Sequence, residues 1–223
     1  MSDQQVAVIT GANRGIGLEL ARHYAREGWR VIGVCRSGSE ELAAIASQVI
    51  DGVDVTADSG IERLVDALAG EPIDLLINNA GLLQDNQLGS IDLDSLRTLM
   101  EVNACAPLRI AEALAPQIPA GGKIANITSR MGSIADNDSG GRYGYRASKA
   151  ALNAFGKSLA IDLKPQGVAV AQLHPGYVQT RMVNFGGLIS PEESARGLAA
   201  CIERLNLENS GSFWHSNGEE LPW

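Results

Sequence analysis

The sequence predicts an α/β protein with one doubly wound, mostly parallel sheet of about seven strands and helices on both faces. Short apolar runs rich in β-branched residues alternate with longer amphipathic segments along the chain. The runs are apolar throughout, which is typical of parallel strands covered on both faces. The length of 223 residues suits a single domain over residues 1–223 and leaves too little chain for a separate substrate domain.

Five segments have the composition of buried strands, and two weaker segments complete the sheet. The strong strands are predicted at residues 6–10, 31–34, 73–77, 123–128 and 168–173, and the weaker ones at 49–53 and 212–215. Helices are predicted at residues 16–27, 40–47, 60–68, 94–115, 145–163 and 191–205. Polar, glycine-containing stretches at 136–142 and 177–190 predict loops. The repeated β-α-β order indicates a doubly wound sheet.

The charge balance and the cysteines restrict the classes of partner. Lys and Arg total 18 against 26 Asp and Glu, and a net charge of -8 argues against nucleic acid as the main partner. Three widely separated cysteines show no spacing typical of a metal site or a disulfide framework, so we expect no metal. The N-terminal residues lack a secretion signal, and no long apolar run suggests a membrane, so we expect a cytoplasmic protein.

A glycine-rich turn, TGANRGIG, directly follows the first predicted strand and precedes a helix. Gly11 permits a tight turn, Gly15 lets the backbone approach a pyrophosphate, and Gly17 allows close packing of helix on strand. The helix N-terminus adds free N–H groups and partial positive charge. The turn therefore predicts a dinucleotide site, with cofactor contacts from Gly11, Asn13, Arg14, Gly15, Ile16 and Gly17.

Tyr145 and Lys149 are four residues apart on a predicted helix and therefore share one face. A carbonyl oxygen that accepts a hydride needs a proton donor, and an ordinary tyrosine with a pKa of about 10 is a weak base in the reverse direction. An ammonium roughly 4 Å from the phenolate would contribute on the order of 4 kcal/mol, or about three pKa units. The pair can therefore supply acid/base chemistry without a metal.

The spacing Gly-x-x-x-Gly-x-Gly and the segment YRASKAALN around Tyr145 and Lys149 resemble the short-chain dehydrogenase/reductase family of Rossmann-fold oxidoreductases. Matching pieces occur in the family's order from Thr10 to Thr180, nearly the whole chain. The resemblance implies hydride transfer between a nicotinamide cofactor and a small carbonyl or alcohol, as in carbonyl reductases. Tyr145 would be the general acid/base.

The resemblance also implies two further catalytic residues. Ser129, which ends the segment NITS at the carboxyl end of the strand predicted at residues 123–128, would orient the substrate oxygen, with Thr128 as the alternative hydroxyl. Asn103 would hold a water beside Lys149, and an asparagine within a predicted helix is unfavourable unless it has such a use. The 16-residue interval between Ser129 and Tyr145, longer than usual for the family, leaves the shape of the substrate pocket open.

The resemblance points to NADP(H) as the cofactor, with NAD(H) as the alternative. Family members that select NAD carry an Asp at the end of the second strand, where this chain has Cys35 followed by Arg36. Arg36 and Arg14 could bind the 2′-phosphate, although both could also be ordinary surface charges. The family pattern adds further cofactor contacts from Asp54, Val55, Asn79, Ala80, Gly81, Tyr145, Lys149, Pro175, Gly176, Val178 and Thr180.

Several alternatives stay open at this point. Asp54 could be only a cap at a strand end, and Asn78 could tie strands together instead of contacting the cofactor. The protein could also be a cofactor-binding regulatory relative with little turnover, although the retained Tyr145 and Lys149 favour chemistry. Small residues on the helix of Tyr145 could pack against a second copy in a homodimer or homotetramer, or against the chain's own sheet.

Overall fold

The computed structural model describes residues 4–223 and contains one parallel sheet of seven strands in the order β3-β2-β1-β4-β5-β6-β7. This arrangement confirms the predicted doubly wound fold. Of the predicted domain, residues 1–3 lie outside the described residues. The strands are β1 Val6–Thr10, β2 Arg30–Val34, β3 Gln48–Ile50, β4 Leu75–Asn78, β5 Lys123–Ile127, β6 Ala169–His174 and β7 Phe213–His215.

Alternate residues of the strands face two separate hydrophobic cores, one on each side of the sheet. In β1, Ala7 and Ile9 face the helices α1 and α7, whereas Val6 and Val8 face α3, α5 and α6. Both sides are covered, which is why the strands are apolar throughout. The helices are α1 Gly15–Arg26, α2 Glu40–Ala43, α3 Asp58–Ala67, α4 Leu93–Met100, α5 Ala106–Leu114, α6 Tyr143–Asp162 and α7 Pro191–Arg204.

The predicted helix at residues 94–115 is not one regular α-helix. It consists of α4 and α5 joined by a π-helical turn at Glu101–Cys105. A π-turn inserts an extra residue into the helical repeat and changes the direction in which its side chains point. The turn contains Asn103, whose side chain bonds outside the helix, so a contact distant in sequence accompanies the interruption.

Two other predicted helices have different limits. The helix predicted at 40–47 ends at Ala43, because the following residues turn into β3 and the Ser47 N–H already donates to Val31 O of β2. The helix predicted to begin at residue 145 begins at Tyr143. In residues 4–223, no helix is long and apolar enough to cross a bilayer.

Candidate active site

The candidate site lies where the loops after β1, β4, β5 and β6 meet at the carboxyl edge of the sheet. These four strands are neighbours in the order β1-β4-β5-β6, so the residues that follow them are brought together. Open parallel sheets bind their ligands at this edge. The glycine turn, the segment NNAG that closes β4 at residues 78–81, Ser129 and the 175–180 loop all lie at the ends of these strands, as the sequence predicts.

The glycine turn is held in a shape that a side chain would disturb. Gly11 and Gly15 have φ of 65° and 56°, the left-handed region that glycine adopts at low cost. A Cβ on Gly17 would lie 2.3 Å from Gly11 O, so the first turn of α1 packs directly on the loop. A Cβ on Gly15 would meet only Thr180, with Cγ2 3.5 Å away, which places the 175–180 loop beside the turn.

Asn79 fixes the glycine turn from the neighbouring strand. Its Nδ2 donates to Thr10 O at 2.9 Å and to Gly11 O at 3.2 Å. In return, the Thr10 hydroxyl accepts from the N–H groups of Asn79 and Ala80, at 3.0 and 3.1 Å. The amide donors of Asn79 are therefore used within the protein, so a predicted cofactor contact from this residue would have to come from its other atoms.

Tyr145, Lys149 and Ser129 are brought together and buried. Lys149 Nζ lies 5.9 Å from the centroid of the Tyr145 ring and donates to Ile127 O at 2.9 Å. The Ser129 hydroxyl accepts from the Met131 N–H at 3.1 Å and caps the 3₁₀ turn Arg130–Gly132. The hydroxyl of Thr128, the alternative to Ser129, instead donates to Lys149 O at 3.4 Å.

Burial acts on the two titratable groups in opposite directions. It raises the pKa of Tyr145 above its ordinary value, although Ser129 and the charge of Arg142 each lower it. Burial lowers the pKa of Lys149 from 10.5 to about 8. Burial thus acts against the acidity that the sequence analysis expects Lys149 to confer on the phenol, because desolvation disfavours the charged form of both groups, and that expectation stays a prediction.

Asn103 connects the chain just after the NNAG segment to α6. Its Oδ1 accepts from the Leu82 N–H at 2.8 Å, and its Nδ2 donates to Leu82 O at 2.9 Å and to Ser148 Oγ at 3.0 Å. The side chain thus makes two hydrogen bonds with the backbone of Leu82, as acceptor and as donor, one position beyond Gly81. The predicted role of Asn103 in holding a water stays a prediction.

The end of β2 has the features expected of a site for an extra phosphate. Cys35 is buried, whereas Arg36 and Arg14 are exposed and form no ion pair within residues 4–223. The turn stays close to this strand because the Gly11 N–H donates to Val34 O at 2.8 Å and Asn13 Nδ2 donates to Ser37 O at 2.9 Å.

Asp54 is used locally as a cap. Its Oδ1 accepts from the Thr56 N–H at 3.0 Å and from the Thr56 hydroxyl at 2.8 Å, and these bonds lower the pKa of the carboxyl group. The more distant charge of Arg36 adds a smaller effect in the same direction. Val55 is half-buried and packs against the core on the α3 side of the sheet.

The 175–180 loop is anchored at both ends. Pro175 O accepts from the Ser194 hydroxyl of α7 at 2.7 Å, and Gly176 has φ of 88°. Val178 is buried and pairs with Ile189, while the Thr180 N–H donates to Val178 O at 2.8 Å. Hydrogen bonds and packing therefore hold this loop in place, and it carries the predicted cofactor contacts Pro175, Gly176, Val178 and Thr180.

A chain of buried amides beneath the site was not predicted beyond Asn78. Asn78 Nδ2 donates to Asn126 Oδ1 at 2.9 Å, and Asn126 Nδ2 donates to Gln172 Oε1 at 3.1 Å. The three residues are in register on β4, β5 and β6, so the chain crosses all three strands. This supports the strand-tying alternative for Asn78. Alternating polar residues in otherwise apolar strands are the signal that could have revealed it.

His174 at the end of β6 is unsuited to proton transfer. Burial, with smaller effects from His215 and Arg130, lowers the pKa of His174 to about 3. The imidazole is therefore neutral at ordinary pH. Among residues 4–223, no cluster of His, Cys, Asp and Glu side chains is placed to hold a metal ion.

Comparison with known proteins identifies the family. The model of the family described as short chain dehydrogenase matches residues 5–186. The chain belongs to the short-chain dehydrogenase family. It is an oxidoreductase of that family, and it is 40% identical over 222 residues to 1-hydroxy-2-glutathionyl-2-methyl-3-butene dehydrogenase of Rhodococcus sp. (strain AD45), covering 97% of this chain and 98% of the relative.

Two further similarities connect this short-chain dehydrogenase to different relatives. It is 43% identical over 155 residues to C-signal of Myxococcus xanthus, covering 68% of this chain and 93% of that protein. A crystal structure of a carbonyl reductase from Pseudomonas aeruginosa PAO1 in complex with NADP superposes with a TM-score of 0.87 at 35% identity, covering 99% of this chain and 100% of that one.

Proposed function

We propose that this short-chain dehydrogenase transfers a hydride between NADP(H) and a small carbonyl or alcohol substrate. The observation that carries the proposal is the burial of Tyr145 beside Ser129 and Lys149 at the sheet edge that also holds the glycine turn. The NADP complex of the similar carbonyl reductase and the exposed Arg36 and Arg14 beside the end of β2 support NADP(H) over NAD(H).

The residues at the glycine turn fit a dinucleotide. The left-handed Gly15 leaves space that only Thr180 borders, and α1 presents its N-terminal N–H groups there. The cofactor-binding set predicted from the sequence is retained in the proposal, with Asp54 assigned to shaping the loop near the adenine. When bound, the nicotinamide ring supplies or accepts the hydride.

The protein's own side chains then handle the proton. Tyr145 donates it to the carbonyl oxygen during reduction and accepts it during oxidation, while Ser129 holds that oxygen in place. The phenol is protonated at neutral pH, the form that donates the proton during reduction, and burial raises its pKa further. Lys149 and Asn103 position the helix and the NNAG segment around this phenol.

A screen for NADPH oxidation over aldehydes, ketones, quinones and sugar-like carbonyls tests the proposal when wild type is compared with Tyr145→Phe. We expect the variant to lose at least about a hundredfold in turnover, the scale of general acid catalysis, and to bind NADPH as wild type does. Equal turnover in both proteins would contradict the mechanism. If wild type oxidises NADPH with none of the compounds in the panel, that result would favour the regulatory alternative, which no present finding favours.

The cytoplasmic location and the homodimer or homotetramer expected from the sequence stay predictions. So does the single domain over residues 1–223.

A further inference from the structure

We propose that the substrate is an aldehyde, ketone or alcohol that also carries a carboxylate, and that Arg146 binds this carboxylate at the mouth of the active site. The inference rests on the proposed function, because it assigns the substrate class of the same site. Three independent features carry it: a cavity beside the catalytic residues, the balance of charge around that cavity, and the way in which Arg146 is held.

A cavity of about 720 Å³ opens next to the proposed catalytic residues. Its lining includes Arg130 and Met131, which directly follow Ser129, Arg142, which directly precedes α6, and Arg146, which follows Tyr145 in the first turn of that helix. The Met131 N–H donates to the Ser129 hydroxyl, and the charge of Arg142 lowers the pKa of Tyr145. Ser129 and Tyr145 do not themselves line the cavity, but their sequence neighbours do, so we infer that a substrate whose oxygen lies at Ser129 and Tyr145 extends toward it.

The cavity is locally basic in a protein whose net charge is -8. Three arginines and one aspartate line it. Arg130 pairs with Asp136 at 2.5 Å, and Arg142 pairs with Asp85 at 3.0 Å. For Arg146, the part of the chain that the structure describes supplies no carboxylate partner. A ligand that carries a negative charge would compensate this remaining guanidinium.

Arg146 is fixed by neutral groups that leave its charge uncompensated. Its Nη2 donates to Ser139 Oγ at 2.8 Å, its Nε to Gly140 O at 3.3 Å, and its Nη1 to Met131 O at 3.5 Å. A guanidinium has five N–H donors, so two remain for a ligand. The group is half-buried and already oriented, which lowers the entropic cost of binding a carboxylate.

The remaining lining accommodates a carbon skeleton between the two polar ends. Leu88, with 83% of its surface exposed, and the half-buried Met131 both face the cavity. The N-terminus of the 20-residue helix α6 lies at the same place and adds partial positive charge. The lining thus suits a compact apolar body with a carbonyl group at one end and a carboxylate at the other.

The test compares 4-carboxybenzaldehyde with its methyl ester, methyl 4-formylbenzoate, as substrates for NADPH-dependent reduction. These aldehydes differ in charge and keep the same ring and reacting group. We expect wild type to give a kcat/KM at least about tenfold higher for the carboxylate, the scale of one charge-assisted hydrogen bond. We expect Arg146→Gln to reduce that ratio about tenfold, and Arg146→Lys to retain part of it.

Arg26→Gln is the matched control, because Arg26 is exposed at the end of α1 that points away from the glycine turn. It removes the same charge and should leave the ratio unchanged. A wild-type ratio near one would overturn the inference. So would equal losses for both aldehydes in Arg146→Gln, because that pattern indicates only that Arg146 orders the loop at residues 136–142.

A binding measurement separates this inference from the proposed function. If neither aldehyde is reduced, calorimetric titration of terephthalate into the protein saturated with NADP⁺ reports on the anion site alone. Binding that weakens about tenfold in Arg146→Gln, with no change in Arg26→Gln, would support the carboxylate site while the hydride-transfer proposal fails. Absence of binding, or equal binding to all three proteins, would overturn the carboxylate site.

Discussion

Lys149 is buried at the carboxyl edge of the sheet, where it donates to Ile127 O at 2.9 Å. The drop of its pKa from 10.5 to about 8 corresponds to roughly 3 kcal/mol of unfavourable burial of the ammonium. A buried ammonium therefore costs the fold stability at neutral pH. Residues placed for chemistry commonly carry such a cost.

Lys149→Met should raise the free energy of unfolding at pH 7 by about 2 kcal/mol. The variant removes the unfavourable burial of the ammonium, but it also loses a hydrogen bond that contributes roughly 1 kcal/mol. In wild type the folded pKa is the lower one, so the unfolded state binds more protons between pH about 8 and 10.5. Wild-type stability should therefore rise with pH across that window, and the variant should lack this contribution. Urea unfolding of both proteins at pH 7 and pH 10 measures the gain in the variant and the pH dependence in wild type. A variant less stable than wild type at pH 7 would contradict the account.

Arg36→Ala should reduce the preference for NADPH over NADH by about 10- to 100-fold in kcat/KM, the scale of bonds between charged groups. The loss should come from NADPH alone, because only NADPH carries the 2′-phosphate. Arg26→Gln, which removes a charge from the far end of α1, should leave the preference unchanged. An Arg36→Ala variant with the wild-type ratio would remove the assigned role of this residue.

The amide chain at Asn78, Asn126 and Gln172 constrains how closely α6 packs on the sheet. A Cβ on Gly156 of α6 would lie 2.0 Å from Gln172 Oε1 and 3.0 Å from Asn126 Nδ2. Gln172 and Asn126 are both fully buried, so neither can move aside into solvent. The absence of a side chain at residue 156 is therefore a requirement of the contact between helix and sheet.

Gly156→Ala should destabilise the fold by about 2 kcal/mol, although alanine is the better helix former by roughly 1 kcal/mol. Steric overlap thus predicts that the substitution lowers the free energy of unfolding, whereas helix propensity predicts that it raises it. Chemical denaturation of Gly156→Ala, of Gln172→Ala and of the double variant separates them. In the Gln172→Ala background the added methyl group should cost at least about 1 kcal/mol less. If Gly156→Ala is more stable than wild type, the structure relieves the steric overlap without cost, and the prediction fails.

The π-turn at Glu101–Cys105 shows what local sequence patterns cannot predict. The helical periodicity of residues 94–115 is continuous, so it indicates one helix. The interruption coincides with hydrogen bonds from Asn103 to Leu82, a partner 21 residues away. The unfavourable asparagine within the helix was the one signal available, and it marked the residue without revealing its partner.

At the scale of the whole molecule, the sequence predicted the sheet and the meeting of its four loops, because apolar strands and glycine turns are local features. It predicted Tyr145 and Lys149 as a pair from their spacing on a helix, and Ser129 from the family resemblance. It did not predict that burial raises the pKa of Tyr145, because desolvation depends on packing from distant parts of the chain. Arg146 was missed for the same reason, since its acceptors lie in two loops that only the fold brings together.

A crystal structure of the protein with NADP⁺ and 4-(hydroxymethyl)benzoate tests the central claim most directly. The account predicts that the alcohol oxygen lies at hydrogen-bonding distance, about 3 Å, from both Tyr145 Oη and Ser129 Oγ, with the reacting carbon against the nicotinamide ring. A complex in which the Tyr145 hydroxyl faces away from the alcohol, or in which the nicotinamide lies outside the edge formed by β1, β4, β5 and β6, would contradict it.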